Sequence, residues 1–268
     1  MYTQAKIQNV VPHFLLKNFS CDDGEHTWCY DKPWRKIEEK KIRDLSNEPG
    51  LYPVKGQQHE SNLERSINKM EMNAAPVIRK VIDTRSLGLS ADERSHLCLF
   101  MALHLSHIKT ALKHSDTLSQ QLNGLATILA EPAAVYGQPN SWLPLFEVIP
   151  DLATILDSKL WFLLSSDKQF YTSDNPVVKQ NTAGKYSNRS SLGLNADGIE
   201  IYFPLSDSLL LCLLCERSYG FLKNSELLVS PANIENMNAL QIASATRFVF
   251  SSGKSFELAL DMASKGEI

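Results

Sequence analysis

Within Phe170-Tyr171-Thr172-Ser173-Asp174-Asn175-Pro176-Val177-Val178 a hydroxyl, a carboxylate and an amide stand in a row between two strand-like runs. Asp and Asn close turns by accepting nearby backbone amides, and Pro176 drives Asn175 toward an extended conformation. A turn therefore explains the stretch completely. The same side chains at the end of a rigid strand are also what a general base, a metal ligand or a ligand clamp requires. If chemistry is done here, Asp174 is its carboxylate, and Ser173 and Asn175 hold the substrate.

Other segments offer partners. Glu71 borders Ala74-Ala75-Pro76, where small side chains let a neighbouring element approach. A carboxylate partly desolvated there has a raised pKa suited to acid–base work. With Asp174 it would hold a divalent cation, Mg²⁺ or Mn²⁺. A charge on a helix surface is the simpler account of its spacing. Asn238, Gln241, Ala245 and Phe248 fall at i, i+3, i+7 and i+10 on a largely apolar stripe, and amides so placed call for a buried polar network. Arg247 can clamp a phosphate or carboxylate, or pair with a structural Asp. His104 and His107 are three apart, a spacing that can chelate a metal or reach substrate. His104 also shares the apolar stripe of Met101 and Ile108, which fits a hydrogen-bonded, partly buried histidine. Cys21, His26 and Cys29 lack zinc-knuckle spacing. Cys212 and Cys215, three apart on a strand, face opposite sides and read as core.

The elements that must position these groups follow from periodicity. Pro12 opens a short helix carrying Phe14, Leu15, Leu16 and Phe19, and Asp23-Gly24 turns into a strand through Trp28 and Tyr30. Leu63, Ile67, Met70, Ala74 and Val77 recur at helical spacing from Glu60 to Ile82, with Pro76 expected to kink or split that helix. Ser90 and Glu93 form a capping box for a second helix, expected to run to about Lys113. Residues 116–131 and 144–157 carry weaker helical patterns. After Lys159, "LWFLLSS", "QFYTS", "GIEIYFPL" and "LLLCLLCE" are strand-like. Ser230-Pro231 starts a last helix that leads into "RFVFSSG", a further strand or an extended tail. The expectation is a single α+β unit over residues 1–268. Residues 1–58 hold a short helix and strands, 59–158 a helical middle, and 159–268 a mostly antiparallel sheet with a late helix.

Composition narrows the class. The 268-residue chain is 43% hydrophobic and 21% charged, enough for a sizeable core, and its net charge of −3 argues against coating nucleic acid or membrane over the whole surface. A local basic groove stays open. The N-terminal stretch lacks signal-peptide character and the five cysteines are odd in number, so a cytoplasmic protein with reduced thiols is expected. Walker A, dinucleotide-binding, nucleophile-elbow and kinase motifs are absent. No lysine stands beside Asp174 to complete a PD-(D/E)xK nuclease core; Lys179 lies past the proline.

Together these segments carry a resemblance. The chain resembles a bacterial domain-of-unknown-function family that opens with His-Tyr-Val-Pro-x-Phe-x-Leu-x-x-Phe, here Val11, Pro12, Phe14, Leu16 and Phe19. The likeness continues through "HTWCYDK", "MEMNAAPVIRK", "YTSDNPVV", "YFPLSDSLLL" and "NALQIASATRFVFS", almost the whole chain. It implies polar positions at Glu71, Ser173, Asp174, Asn175, Asn238 and Arg247. The family's histidine before Val-Pro is Asn9 or Val10 here, and its Gln-x-x-Arg-Thr corresponds to the segment of His104 and His107. The leading expectation is a cytoplasmic enzyme acting on a nucleotide or nucleic acid by metal-assisted phosphodiester chemistry, in a phage-defence or toxin setting. The alternative is a non-catalytic ligand-binding, sensor or partner-binding protein in which the same residues form a structural network.

Overall fold

The computed structural model describes residues 11–21, 23–45, 58–106, 147–182, 192–223, 225, 227 and 229–268. A short helix α1 (His13–Leu16) passes into a 3₁₀ turn (Lys17–Phe19), with Pro12 one residue ahead as N-cap and Leu15, Leu16 and Phe19 buried. A hairpin follows, β1 (His26–Asp31) and β2 (Lys36–Lys41), then the single turn α2 (Ile42–Leu45). Gly24 enters β1 at φ +69°, a conformation open to glycine without strain.

The helices α3 (Gln58–Thr84) and α4 (Ala91–Leu105) pack on each other. Of the kink or split expected at Pro76, the split does not occur: α3 runs through it as one helix. Pro76 and Met72 are both exposed, so the Met72 carbonyl that loses its amide partner faces water. The Ser90–Glu93 capping box forms as expected: the Glu93 amide donates to Ser90 Oγ (3.2 Å) and the Ser90 amide to Glu93 Oε2 (2.7 Å). α4 is described to Leu105, where Ser106 donates its amide to the Ala102 carbonyl and its hydroxyl to the Leu103 carbonyl; the expected stretch over 107–113 lies outside the described residues. Ile108, His107, His114 and the helix expected over 116–131 lie outside the described residues.

Next come α5 (Ile149–Asp157), β3 (Leu160–Ser165), β4 (Thr172–Ser173), β5 (Val178–Asn181), β6 (Ile199–Pro204), β7 (Leu209–Leu214) and α6 (Glu216–Tyr219). The chain continues with α7 (Pro231–Ser244), β8 (Phe248–Ser251) and α8 (Glu257–Ser264). α7 has Ser230 as N-cap and Pro231 in its first turn, as its sequence predicts. It is not the last helix: Phe256, Ala259, Met262 and Ala263 bury one side of α8 against the sheet.

The fold is α+β, with two antiparallel four-stranded sheets among the described residues, ordered β2-β1-β8-β4 and β3-β7-β6-β5. The "RFVFSSG" segment supplies β8, the strand that joins the N-terminal hairpin to β4. Helices cover both faces of the second sheet. Ile199, Ile201 and Phe203 of β6 face the core shared with α1, α3, α4 and α5, while Tyr202 faces α7 beside Leu210, Cys212 and Ile234. β6 and β7 are thus buried at every position, which is why they read as near-continuous apolar runs. Cys212 and Cys215 fall in cores on opposite sides of the sheet. Among the described residues no helix is long and apolar enough to cross a membrane.

Candidate functional site

The Ser173–Pro176 turn is clasped to the segment that links α7 to β8. Asp174, only 6% exposed, accepts three consecutive backbone amides: Thr246 on Oδ1 at 2.8 Å, and Arg247 and Phe248 on Oδ2 at 2.7 and 3.2 Å. Its own amide donates to the Phe248 carbonyl at 3.0 Å. Asn175 Nδ2 donates to the Ser244 carbonyl (2.8 Å) and to Thr246 Oγ1 (3.2 Å). Ser173 Oγ has Gln241 Oε1 at 2.8 Å and the Asn175 carbonyl at 2.9 Å, two acceptors for one proton. Gln241 Nε2 donates to the Pro176 carbonyl at 2.8 Å. One turn upstream, Asn238 Oδ1 accepts the Tyr171 amide (2.8 Å) and Nδ2 donates to the Gln169 carbonyl (3.0 Å). A chain leaving a helix presents amides and carbonyls that need partners, and these side chains supply them.

Arg247 turns its guanidinium to Asp31, with Nη2 at 3.0 Å and Nε at 3.2 Å from Oδ2, and lies over the Phe248 ring at 4.4 Å. Next to it, Lys32 Nζ donates to the carbonyls of Ile242, Ala243 and Ala245, placing a cation at the negative end of α7. The fold thus brings together Ser173, Asp174, Asn175, Asn238 and Arg247, and adds Gln241, Asp31 and Lys32. Glu71 stands half-buried on α3, whose packing runs to α4, whereas the turn packs on α7 and β8. His104 is buried on α4, edge-on to Phe100 with ring centroids 4.7 Å apart. His107 lies outside the described residues. Among the described residues no group of three or more His, Cys, Asp and Glu side chains is placed to hold a metal ion.

A second polar assembly lies on the α7 side of the other sheet, and sequence reasoning passed over it. Glu200 sits in β6, a strand otherwise apolar or aromatic, and is 6% exposed. Side chains alternate along a strand, so Glu200 and Tyr202 share a face, and register sets Gln180 of β5 directly opposite Glu200. Thr182 and Tyr219 donate to Oε1, Tyr219 at 2.5 Å. Tyr202 and Gln180 donate to Oε2, at 2.6 and 2.8 Å. Asn236 of α7 donates to Gln180 Oε1 at 3.0 Å, which orients that amide. Burial pushes the Glu200 carboxyl up, but the four donors together outweigh it and hold it below the usual carboxylate range. Burial first, then the bond to Glu200, lifts Tyr219 to about 12, and burial above all raises Tyr202 as well.

This group forms the polar part of an open cavity of about 490 Å³, lined also by Leu164, Leu214, Leu227, Val229 and Met237 and by Asn233 and Asn236 of α7. The volume lies within the range of small-molecule sites, as does the pairing of apolar walls with a few convergent polar groups. A sequence signal existed: one carboxylate inside "GIEIYFPL", a run that reads as buried on both faces. A second cavity, about 500 Å³, has charges of both signs at its mouth, from Lys40, Lys41, Glu39 and Asp44.

The model of a family described as "Protein of unknown function (DUF4238)" matches residues 8–255. No curated protein and no solved structure matches the chain.

Proposed function

The chain belongs to the DUF4238 family, and from that premise we propose that it is a cytoplasmic ligand-binding protein whose small ligand occupies the cavity walled by Glu200. The observation that carries this reading is a buried, ionised carboxylate held by four side-chain donors at the edge of a cavity of mixed polar and apolar lining. Such a group costs folding free energy, and a binding role accounts for its presence. The Ser173–Asn175 turn then serves as a structural clasp. Both oxygens of Asp174 accept amides, which supports that assignment over a metal ligand or a base. The test is a ligand-observed NMR screen of a fragment collection against wild type and Ala232→Trp, which fills the cavity from α7. Fragments that bind wild type and are lost in the folded variant support the reading. Fragments that ignore the plug sink it.

A second reading, contact with a nucleotide or nucleic acid, draws on one other feature. Trp34 is 75% exposed at the tip of the β1–β2 hairpin, where Lys32, Arg35, Lys36 and Arg247 outnumber Asp31 and Glu38. An exposed aromatic among cations is a platform on which unpaired bases stack. Metal-assisted phosphodiester chemistry, in a phage-defence or toxin setting, belongs to this reading and requires Asp174 to exchange its amides for Mg²⁺ or Mn²⁺ shared with Glu71. Anisotropy of a labelled single-stranded oligonucleotide at low salt tests the contact: binding that weakens severalfold in Trp34→Ala supports it, and equal binding by the two proteins removes it.

A further inference from the structure

Four neutral donors disperse the charge of Glu200, and none cancels it. Every described hydrogen bond to the carboxylate comes from a hydroxyl or an amide. Among the described residues lining the cavity there is no Lys, Arg or His. Buried carboxylates are ordinarily neutralised by a proton or paired with a cation. The proton is not the answer here, because the donors hold the carboxyl below its ordinary range. A cation that arrives with the ligand would balance the charge that the described donors leave in place.

The donor set says which kind of cation. A magnesium or calcium ion needs six or more oxygen ligands, several of them charged, and this wall offers one carboxylate already satisfied by hydrogen bonds. An ammonium needs fewer and weaker acceptors. Tyr219 and Tyr202 commit their protons to Glu200, so their oxygens act as acceptors, and Tyr202 Oη already accepts Gln180 Nε2 at 3.2 Å. Thr182 is the most exposed of the four donors and can turn its hydroxyl to water, freeing a lone pair on Oε1. Tyrosine rings beside the carboxylate also attract a positive charge through their faces. Leu214, the cross-strand neighbour of Glu200, and Leu164 on the same sheet face, with Met237 of α7 across from them, offer an apolar surface for a hydrocarbon or aromatic body.

We infer that the cavity recognises an organic amine: a protonated nitrogen at the Glu200 wall, carried on an apolar body that packs between β6–β7 and α7. This inference rests on the ligand-binding reading above and gives that ligand its chemistry.

The probes are benzylamine, phenethylamine and tryptamine, each compared with the alcohol and the carboxylate of the same skeleton, titrated calorimetrically into the full chain. Wild type should bind the best-fitting amine about tenfold or more tighter than its alcohol, the margin expected when a neutral hydrogen bond to a carboxylate becomes a charged one. The matching carboxylate should bind weakest. Glu200→Gln, close to isosteric, should bring amine and alcohol to about equal affinity. If Glu200→Gln does not fold, the amine–alcohol comparison on wild type decides alone. Alcohols that bind wild type as tightly as their amines, and are displaced by Ala232→Trp, overturn the amine inference and leave the ligand-binding reading standing. An amine preference that survives Glu200→Gln overturns the role of Glu200. Wild type that binds no member of the series overturns the inference, and a fragment screen empty as well overturns the reading beneath it.

Discussion

Asp174 shows how a short polar stretch can look catalytic and still be accounted for by its neighbours. Three amides converge on its carboxylate, all from the link between α7 and β8, and the nearest of them in sequence is 72 residues away. Removing the carboxylate leaves those amides to find other partners in a partly buried site. Asp174→Ala should therefore cost about 2–4 kcal/mol, since hydrogen bonds to charged groups exceed neutral ones and stranded buried donors are penalised further. Asp174→Asn, which keeps one carbonyl acceptor, should fall between the two. Urea denaturation with unchanged m-values measures the differences. A variant Asp174→Ala as stable as wild type would show that the clasp contributes nothing, and would return the carboxylate to the list of free functional groups.

The helices carry their own expectations. α7 is held at both ends: its start by the Ser230–Asn233 capping box, its end by Lys32 on three carbonyls. Its middle supplies Asn238 and Gln241 to the clasp, so one element positions that network and one wall of the Glu200 cavity. α3 offers the sharper test. Pro76 lies within a continuous helix at an exposed position, where it removes a hydrogen bond and crowds the preceding turn. Pro76→Ala should raise stability by about 1–2 kcal/mol. That is less than the full interior penalty of a proline, because proline also restricts the unfolded chain. The check is a rise in thermal midpoint with the helical circular dichroism signal maintained. A lower midpoint would mean that Pro76 is preferred by its surroundings.

At the scale of the molecule, the Glu200 wall couples folding to pH at both extremes. Glu200 titrates below its unfolded value, so the unfolded chain binds its proton more readily. Its contribution is present above about pH 4.5 and is lost as pH falls through the depressed folded value. Tyr219 is held at about 12, above its unfolded value near 10, so its contribution is present below about pH 10 and fades as pH rises toward 12. Glu200→Gln should flatten the acid limb of stability against pH, and Tyr219→Phe the alkaline limb, each read as the urea midpoint across the titration. Acid limbs that superimpose for wild type and Glu200→Gln would mean that Glu200 has no depressed pKa in the folded chain.

Local features were legible from the chain alone. The Ser90 and Ser230 caps, the strand alternation through Trp28 and Tyr30, and the apolar runs of β6 and β7 depend on residues within a few positions of one another, where spacing is geometry. The amides at Asn238 and Gln241 announced a need for partners because polar groups on an apolar stripe must be satisfied. Which partners they meet was decided only by the tertiary structure. So was the union of the N-terminal hairpin with β8, and the meeting of Gln180, Glu200 and Tyr219 at one cavity. Those contacts join segments far apart in the chain through sheet register and helix placement. Glu200 carries a local mark of Tyr202, two residues on along the strand, but none of Tyr219, Gln180 or Thr182.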